Sequence, residues 1–226
     1  MTAPSWADLE SKGYVVVRSW ASPDEVTRLR EDFEAQPLDG NKNYTLKLLG
    51  PGIIEWLTGK LHDTASQVRS HTDIRADMLA FPPPVYFAID LGTNFPWHQD
   101  HESFFLLQEH YHYLNFYLAV VKPRPDKSNL AVIPFDRLQK LSPTFHDRVK
   151  GGGASHIMNW IEGQPALFVD DQTGQTTVLS FDPEQAAAIP ELEAGDLLII
   201  RGDMFHRTQD VETHRISASF RMADSH

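Results

Sequence analysis

The sequence contains no cysteine. Disulfides, thiolate metal sites and a cysteine nucleophile are therefore excluded. Any metal ion that the protein holds must be bound by histidine, aspartate or glutamate. A chain without disulfides needs no oxidising compartment, and we expect this one to be cytoplasmic.

Long apolar runs and an excess of positive charge are also missing. Because no stretch of about 18 apolar residues occurs, we expect no membrane-spanning helix and no membrane partner. Residues 1–8 show no basic stretch followed by an apolar core, which argues against a secretory signal. Lysine and arginine number 20 against 31 acidic residues, for a net charge of −11. Such a charge makes nucleic acid an unexpected partner.

The chain has 226 residues, of which 41% are hydrophobic. This length and composition predict a single domain over residues 1–226 with a sizeable core. Residues 1–81 have helical patterns, apart from a predicted strand at 13–18. Ser22 and Glu25 form a capping box that predicts a helix ending near Ala35. A second helix is predicted over 53–71 from the spacing of its apolar residues.

From residue 82 onward, short segments rich in β-branched and aromatic residues alternate with turns. The predicted strands are 85–89, 111–121, 130–133, 166–169, 177–179, 196–200 and 214–222. Strands that follow a helical start predict an α+β chain in which a β-sandwich or barrel is buttressed by helices. The segment near 139–163, which contains three consecutive glycines, is predicted to be a mobile insertion that acts as a lid.

A histidine and a carboxylate stand two positions apart at His98 and Asp100. On an extended strand, residues i and i+2 project from the same face, so both side chains can reach one ion. His206 follows an apolar strand far downstream and becomes a third ligand if that strand lies beside the first. Two imidazoles and one carboxylate form the facial triad of non-haem iron(II) oxygenases, which leaves positions open for O₂ and a cosubstrate.

The last predicted strand carries polar side chains on one face, including Arg215, Ser217 and Arg221. Polar residues on such a face normally point to solvent. Inside a barrel, however, an arginine beside a serine hydroxyl offers a bidentate site for a carboxylate. Both interpretations of this face are open from the residues alone.

Together these residues resemble the iron(II)/2-oxoglutarate-dependent oxygenases, and within them the phytanoyl-CoA dioxygenase-like branch. The resemblance spans about residues 82–222 and rests on His98-x-Asp100, on His206 after a Gly-Asp strand, and on Arg215-x-Ser217. In that branch the metal histidine often follows tryptophan, as it follows Trp97 here. Residues 129–137 share the family's outline of an Asn, a short apolar strand and a Pro-led turn. They lack its usual Gly and its Gly-Ser-His.

The resemblance implies a double-stranded β-helix (a cupin-like jelly-roll) with iron(II) at one mouth. It implies that His98, Asp100 and His206 are the metal ligands and catalytic residues. Arg215, assisted by Ser217, would anchor the far carboxylate of the cosubstrate 2-oxoglutarate, and O₂ would be the oxidant. Since Asp100 stands where related halogenases have alanine or glycine, hydroxylation is implied rather than chlorination.

Several further residues are candidates for the same site. Asn115 and Tyr86 are predicted to bind the cosubstrate, although an ordinary packed aromatic surface would show the same alternation. The predicted substrate contacts are Trp97, Glu102, Tyr117 and Arg221. Arg221 is also the rival of Arg215 as carboxylate anchor. The remaining histidines nearby, His101, His110 and His112, are interpreted mainly as structural.

We therefore expect an oxygenase that hydroxylates a C–H bond of a small molecule and releases succinate and CO₂. The substrate classes considered are an amino acid, an acyl compound and a natural-product intermediate. Two alternatives stay open: a metal-binding cupin-like isomerase or sensor without oxygenase activity, and an oxygenase acting on protein or peptide side chains. The sequence predicts no oligomeric state.

Overall fold

The structure is a computed structural model that describes residues 4–37, 46–80, 83–88, 95–101, 109–126, 130–158, 165–209 and 214–225. Its helices are α1 (Asp8–Ser11), α2 (Pro23–Ala35), α3 (Pro51–His71), α4 (Phe135–Leu141), α5 (Pro143–Val149) and α6 (Pro183–Ala186). A short 3₁₀ turn covers His110–His112. Among the described helices, none has the length and apolar character needed to cross a membrane.

The two long helices begin where local sequence signals place them. At the start of α2 the Ser22 hydroxyl accepts a hydrogen bond from the Glu25 backbone N–H. The Glu25 carboxylate in turn accepts one from the Ser22 backbone N–H at 2.7 Å. This capping box confirms the predicted helix. Helix α3 starts at Pro51, two residues before the predicted start, because proline suits the first turn of a helix.

The strands are β1 (Tyr14–Val17), β2 (Leu46–Leu48), β3 (Met78–Leu79), β4 (Val85–Ala88), β5 (Leu114–Val121), β6 (Leu130–Val132), β7 (Ser155–Met158), β8 (Leu167–Asp170), β9 (Thr176–Val178), β10 (Leu197–Arg201), β11 (His206–Thr208) and β12 (Ile216–Ala223). A large antiparallel sheet has the order β1-β10-β5-β12-β4-β2, with β3 paired to β12. Two small antiparallel sheets, β11-β6 and β7-β8-β9, are separate from the large one. Single-residue bridges from His98 to His206 and to His156 join the small sheets.

Each predicted strand is present, and its ends lie within three residues of the predicted ones over the described ranges. The largest displacement is at β5, where Tyr111 belongs to the 3₁₀ turn rather than to the strand. Ile89, the predicted end of β4, lies outside the described residues. Strands β2, β3, β7 and β11, each of two to four residues, lie outside the predicted strands.

The helices and the small sheets cover opposite faces of the large sheet. On one face, Leu61 of α3 shares an apolar cluster with Phe116 of β5 and Phe220 of β12. On the other face, Ile200 of β10 clusters with Val132 of β6. The predicted combination of helices with antiparallel sheet is therefore confirmed.

The segment predicted as a mobile insertion, 139–163, is not a loop over its described part. It contains the end of α4, all of α5 and strand β7, which pairs with β8. Phe145 and Ile157 are buried in an apolar cluster that also holds Phe205. The prediction of a mobile loop is wrong for residues 139–158, since these apolar side chains pack into the core. Residues 159–163 lie outside the described residues.

Candidate metal centre

The segment 95–100 runs as an extended chain between β11 and β7. His98 exchanges two backbone hydrogen bonds of 3.0 Å with His206, and the Gln99 N–H donates to the Ser155 carbonyl at 2.9 Å. Because side chains alternate along an extended chain, His98 and Asp100 lie on one side and Gln99 on the other.

His206 reaches this site because the chain changes sheets. Strand β10 ends in the large sheet at Arg201, and after four residues the chain enters a small sheet at His206. The His206 Nε2 atom lies 3.6 Å from Asp100 Oδ1. One ligand atom from each of His98, Asp100 and His206 lies within 4.8 Å of the other two. Within the described residues, this is the one such group of three.

The protonation of the two imidazoles suits a metal ion. His98 Nδ1 lies 2.7 Å from the Pro96 carbonyl oxygen, and His206 Nδ1 lies 3.0 Å from the Met204 carbonyl oxygen. A carbonyl can only accept, so Nδ1 donates in both rings and Nε2 carries the lone pair. Burial lowers the pKa of His206 to about 4, which keeps this ring neutral at physiological pH.

Asp100 supplies the charge that a cation needs. The residue is buried, and its Oδ2 atom has no hydrogen-bond partner among the described residues. An unpartnered buried carboxylate oxygen is costly, by about 1–3 kcal/mol or more. A cation in contact with Asp100 and with both imidazole Nε2 atoms would remove this cost. The donor set of two nitrogens and one carboxylate fits iron(II).

A buried polar network that was not predicted holds the two ligand segments together. The Gln99 side-chain amide donates to the Asp203 and Val149 carbonyls, and its oxygen accepts from the Ser155 hydroxyl. Asp203 forms an ion pair with Arg201, and both side chains are fully buried. No signal in the sequence marks Gln99, because its partners come from three separate segments.

Arg215, which directly precedes β12 and continues its polar face, is buried beside two hydroxyl groups. Its Nη1 donates to the Tyr117 hydroxyl at 3.0 Å and approaches the Ser217 hydroxyl at 3.5 Å. The three side chains therefore lie together, and Arg215 shares a face with Ser217, as the alternation along the strand predicted. They are among the buried residues of the chain, which excludes a solvent-facing strand.

The same face continues to Arg221. The Arg221 Nη1 donates to the Ser219 hydroxyl, which in turn donates to Asn115 Oδ1 at 3.1 Å. Arg221 is close enough to His206 that its positive charge adds to the effect of burial in lowering the pKa of His206. Arg221 and Asn115 are thus linked through Ser219, and their predicted roles in binding stay predictions.

Two predicted site residues have side chains that point away from the proposed ligands. Tyr86 is opposite Ala218 and packs in the cluster under the helices, where its hydroxyl donates to Asp32 at 2.8 Å. Trp97 is buried among the apolar residues on the other side of the 95–100 segment, and its Nε1 donates to Glu184 at 2.8 Å. Both predictions are wrong, because one step along a strand reverses the side that a residue faces.

Phe87 takes the place that was predicted for Tyr86. It is opposite Ser217 in the pairing of β4 with β12. Its ring makes an edge contact with Phe95 at 5.9 Å, and Phe95 lies 5.8 Å from the His98 ring. An aromatic wall therefore adjoins the proposed ligands. Glu102, a predicted substrate contact, lies outside the described residues.

Three further histidines have partners within the protein. His101 Nε2 lies 2.9 Å from Asp171 Oδ2, and His156 binds the same carboxylate. His112 Nδ1 accepts from the Arg75 N–H at 3.2 Å. Burial lowers the pKa of His110 and of His112.

Comparison with solved structures shows the same fold. The chain superposes on the epimerase SnoN from nogalamycin biosynthesis, in complex with Fe³⁺ and alpha ketoglutarate, with a TM-score of 0.58 and 13% identity, covering 97% of this chain and 82% of SnoN. HygX from Streptomyces hygroscopicus, with nickel, 2-oxoglutarate and hygromycin B bound, superposes with a TM-score of 0.58 and 13% identity. The match covers 96% of this chain and 85% of HygX. EctD from S. alaskensis, with 2-oxoglutarate and 5-hydroxyectoine, superposes with a TM-score of 0.61 and 15% identity. The match covers 97% of this chain and 74% of EctD.

None of the curated protein sequences compared with the chain matches it. The family description "Phytanoyl-CoA dioxygenase (PhyH)", however, matches residues 9–220, nearly the whole chain. The chain therefore belongs to the phytanoyl-CoA dioxygenase family, and it is an oxygenase that depends on iron(II), 2-oxoglutarate and O₂.

Proposed function

We propose that His98, Asp100 and His206 bind the iron(II). The observation that carries this proposal is the convergence of three ligand atoms within 4.8 Å around the unpartnered Asp100 Oδ2. The Nδ1 hydrogen bonds of both imidazoles orient Nε2 toward the same point. We further propose that the two facing sets of strands form one double-stranded β-helix, and that residues 1–226 are a single domain.

Arg215 anchors the far carboxylate of 2-oxoglutarate. A guanidinium group binds a carboxylate through two parallel hydrogen bonds, and the Tyr117 and Ser217 hydroxyls beside it add further donors. The Arg215 Nε atom is buried without a partner among the described residues, so a donor is left for this ligand.

The reaction is hydroxylation of a substrate C–H bond, with succinate and CO₂ as co-products. Iron bound with 2-oxoglutarate and O₂ supplies the oxidant. The chain's own residues hold the ligands in one geometry, orient the cosubstrate through Arg215, and limit access of water. Phe87 and Phe95 contribute to this exclusion, since they place apolar rings next to His98.

The substrate is a small molecule. Proteins of this fold were crystallised with hygromycin B and with nogalamycin RO, which are small molecules. The same fold carries an epimerase and a carbocyclase. The identity of the product therefore depends on which carbon of the substrate lies nearest the metal.

The test is an anaerobic titration of the iron(II)-loaded protein with 2-oxoglutarate, followed by a measurement of succinate release in air. We expect a visible metal-to-ligand charge-transfer band in the wild type and its loss in His98→Ala and in His206→Ala. His62→Ala is the matched control, because His62 is exposed on α3. Full succinate release by both His98→Ala and His206→Ala would overturn the ligand assignment.

A further inference from the structure

The polar face of β12 carries two buried arginines, whereas the proposed cosubstrate site uses one. Arg215 is 2% exposed and Arg221 is 7% exposed. Among the described residues, neither guanidinium has a carboxylate partner, and the Nε atom of each is buried without a hydrogen bond. A buried cation without a counter-ion is strongly unfavourable. Each arginine therefore indicates a site for an anion.

The charges of the proposed complex can be summed. Iron(II) contributes two positive charges and Arg215 one, while 2-oxoglutarate contributes two negative charges and Asp100 one. These four partners cancel, provided that both imidazoles are neutral. The buried pair Arg201–Asp203 is neutral as a unit. Within the part of the chain that the structure describes, no carboxylate forms an ion pair with Arg221, so its charge is not compensated there.

Arg221 leans toward Arg215 along this face. Its Nη1 donates to Ser219, whereas Arg215 approaches Ser217, so the two guanidinium groups lean toward the middle of the strand. Ser217 and Ser219 are about 7 Å apart along a strand, which is enough for two separate ligand groups.

Strand pairing shows which arginine lies nearer the proposed ligands. Arg221 is opposite Asn115 of β5, and Asn115 is opposite Ile200 near the end of β10. Two residues after Ile200, the Gly202 carbonyl accepts the Asp100 N–H at 3.3 Å. Of the two arginines, Arg221 is therefore the one level with the segment that holds Asp100.

We propose, on the basis of the function proposed above, that Arg221 binds a carboxylate of the substrate. The enzyme then acts on small molecules that carry a single negative charge close to the oxidised carbon. The planar guanidinium group fits a carboxylate, and Asn115 and Ser219 flank it with further polar atoms. If the substrate were neutral, its binding would leave the Arg221 guanidinium buried without an anion beside it.

The test uses the anaerobic complex of the enzyme with iron(II) and 2-oxoglutarate. Monocarboxylic acids and their carbon-matched primary amides are titrated in, and the shift of the charge-transfer band reports their binding. Because a hydrogen bond to a charged group contributes about 1.5–3 kcal/mol, acids should bind about 10- to 100-fold more tightly than their amides. Equal responses to acids and amides, including no response to either, would overturn the proposal.

Variants separate the two arginines. In Arg221→Gln the affinity for the acids should fall about 10- to 100-fold, while the Kd of 2-oxoglutarate changes less than about threefold. Arg215→Gln should show the opposite pattern, and Arg221→Lys should retain part of the acid affinity. An equal loss of 2-oxoglutarate affinity in Arg221→Gln and Arg215→Gln would assign both arginines to the cosubstrate and refute the proposal.

The comparison of acids with amides in the wild type does not depend on the folding of any variant. Thermal melting followed by circular dichroism shows whether each variant is folded. A missing charge-transfer band in the iron-loaded wild type would contradict the proposed cosubstrate site itself. A normal band without discrimination between acids and amides would contradict only the role of Arg221.

Discussion

Replacing Asp203 by asparagine should destabilise the protein strongly. Asp203 and Arg201 are both fully buried, and Arg201 Nε donates to Asp203 Oδ1 at 2.9 Å. The guanidinium group also lies over the rings of Tyr111 and Phe135, so water cannot replace a lost carboxylate there. Removing one partner of a buried ion pair leaves an uncompensated charge, which costs about 3–5 kcal/mol.

The assay is urea unfolding and thermal melting of the metal-free protein. In a chain of this length a loss of 1 kcal/mol lowers Tm by about 2–4 °C, so Asp203→Asn should lower it by about 6–20 °C. Asp126→Asn is the matched control, because the Arg124–Asp126 pair is exposed and should contribute less than about 1 kcal/mol. If Asp203→Asn loses no more stability than Asp126→Asn, the reasoning about this buried pair is refuted.

The same substitution should weaken iron binding. Asp203 accepts the Gly151 N–H at 2.6 Å, and its carbonyl accepts from Gln99, which stands between two proposed ligands. Loss of a group that orients metal ligands typically costs 10- to 100-fold in metal affinity, and we expect about 10-fold here. A titration of the variant with iron(II) at a temperature where it is fully folded measures this effect.

The remaining predictions concern His206 and Tyr86. Burial holds the pKa of His206 at about 4 in the folded protein, against about 6.5 in an unfolded chain. Between about pH 4 and about pH 6.5, the His206 ring is therefore protonated in the unfolded state and neutral in the folded state. The metal-free protein should therefore lose stability as the pH falls from 6.5 to 4, by about 3 kcal/mol from this group, and His206→Gln should remove that part of the slope in urea unfolding. An unchanged slope in His206→Gln would contradict this account. Tyr86→Phe should cost about 1–2 kcal/mol by removing the hydrogen bond to Asp32, and it should leave the Kd of 2-oxoglutarate unchanged. A large rise in that Kd would return Tyr86 to the cosubstrate site.

Features that depend on neighbouring residues could be predicted from the sequence. The start of α2 follows from Ser22 and Glu25, which are three residues apart and satisfy each other's backbone groups. The shared face of Arg215 and Ser217 follows from the pleat of a strand, which is a property of any extended chain. The same rule predicted that His98 and Asp100 would share a side.

The tertiary structure alone decided which side of each strand faces the proposed metal site. Tyr86 and Phe87 are adjacent and both aromatic, so nothing local distinguishes them, and only the pairing of β4 with β12 places Phe87 on the face of Ser217. Likewise, Trp97 stands next to His98 in sequence but packs on the opposite side of the segment.

Long-range contacts also decided how the proposed metal ligands come together. His206 lies opposite His98 because the chain leaves the large sheet after Arg201 and enters a small one, a change that no local pattern shows. The buried Arg201–Asp203 pair and Gln99 then hold the two ligand segments together. The sequence by itself determined which residue types are available and which neighbours share a face, because these depend on local geometry. Which face of a strand points toward the proposed metal site was determined by strand pairing, because the pairing depends on residues far away in the chain.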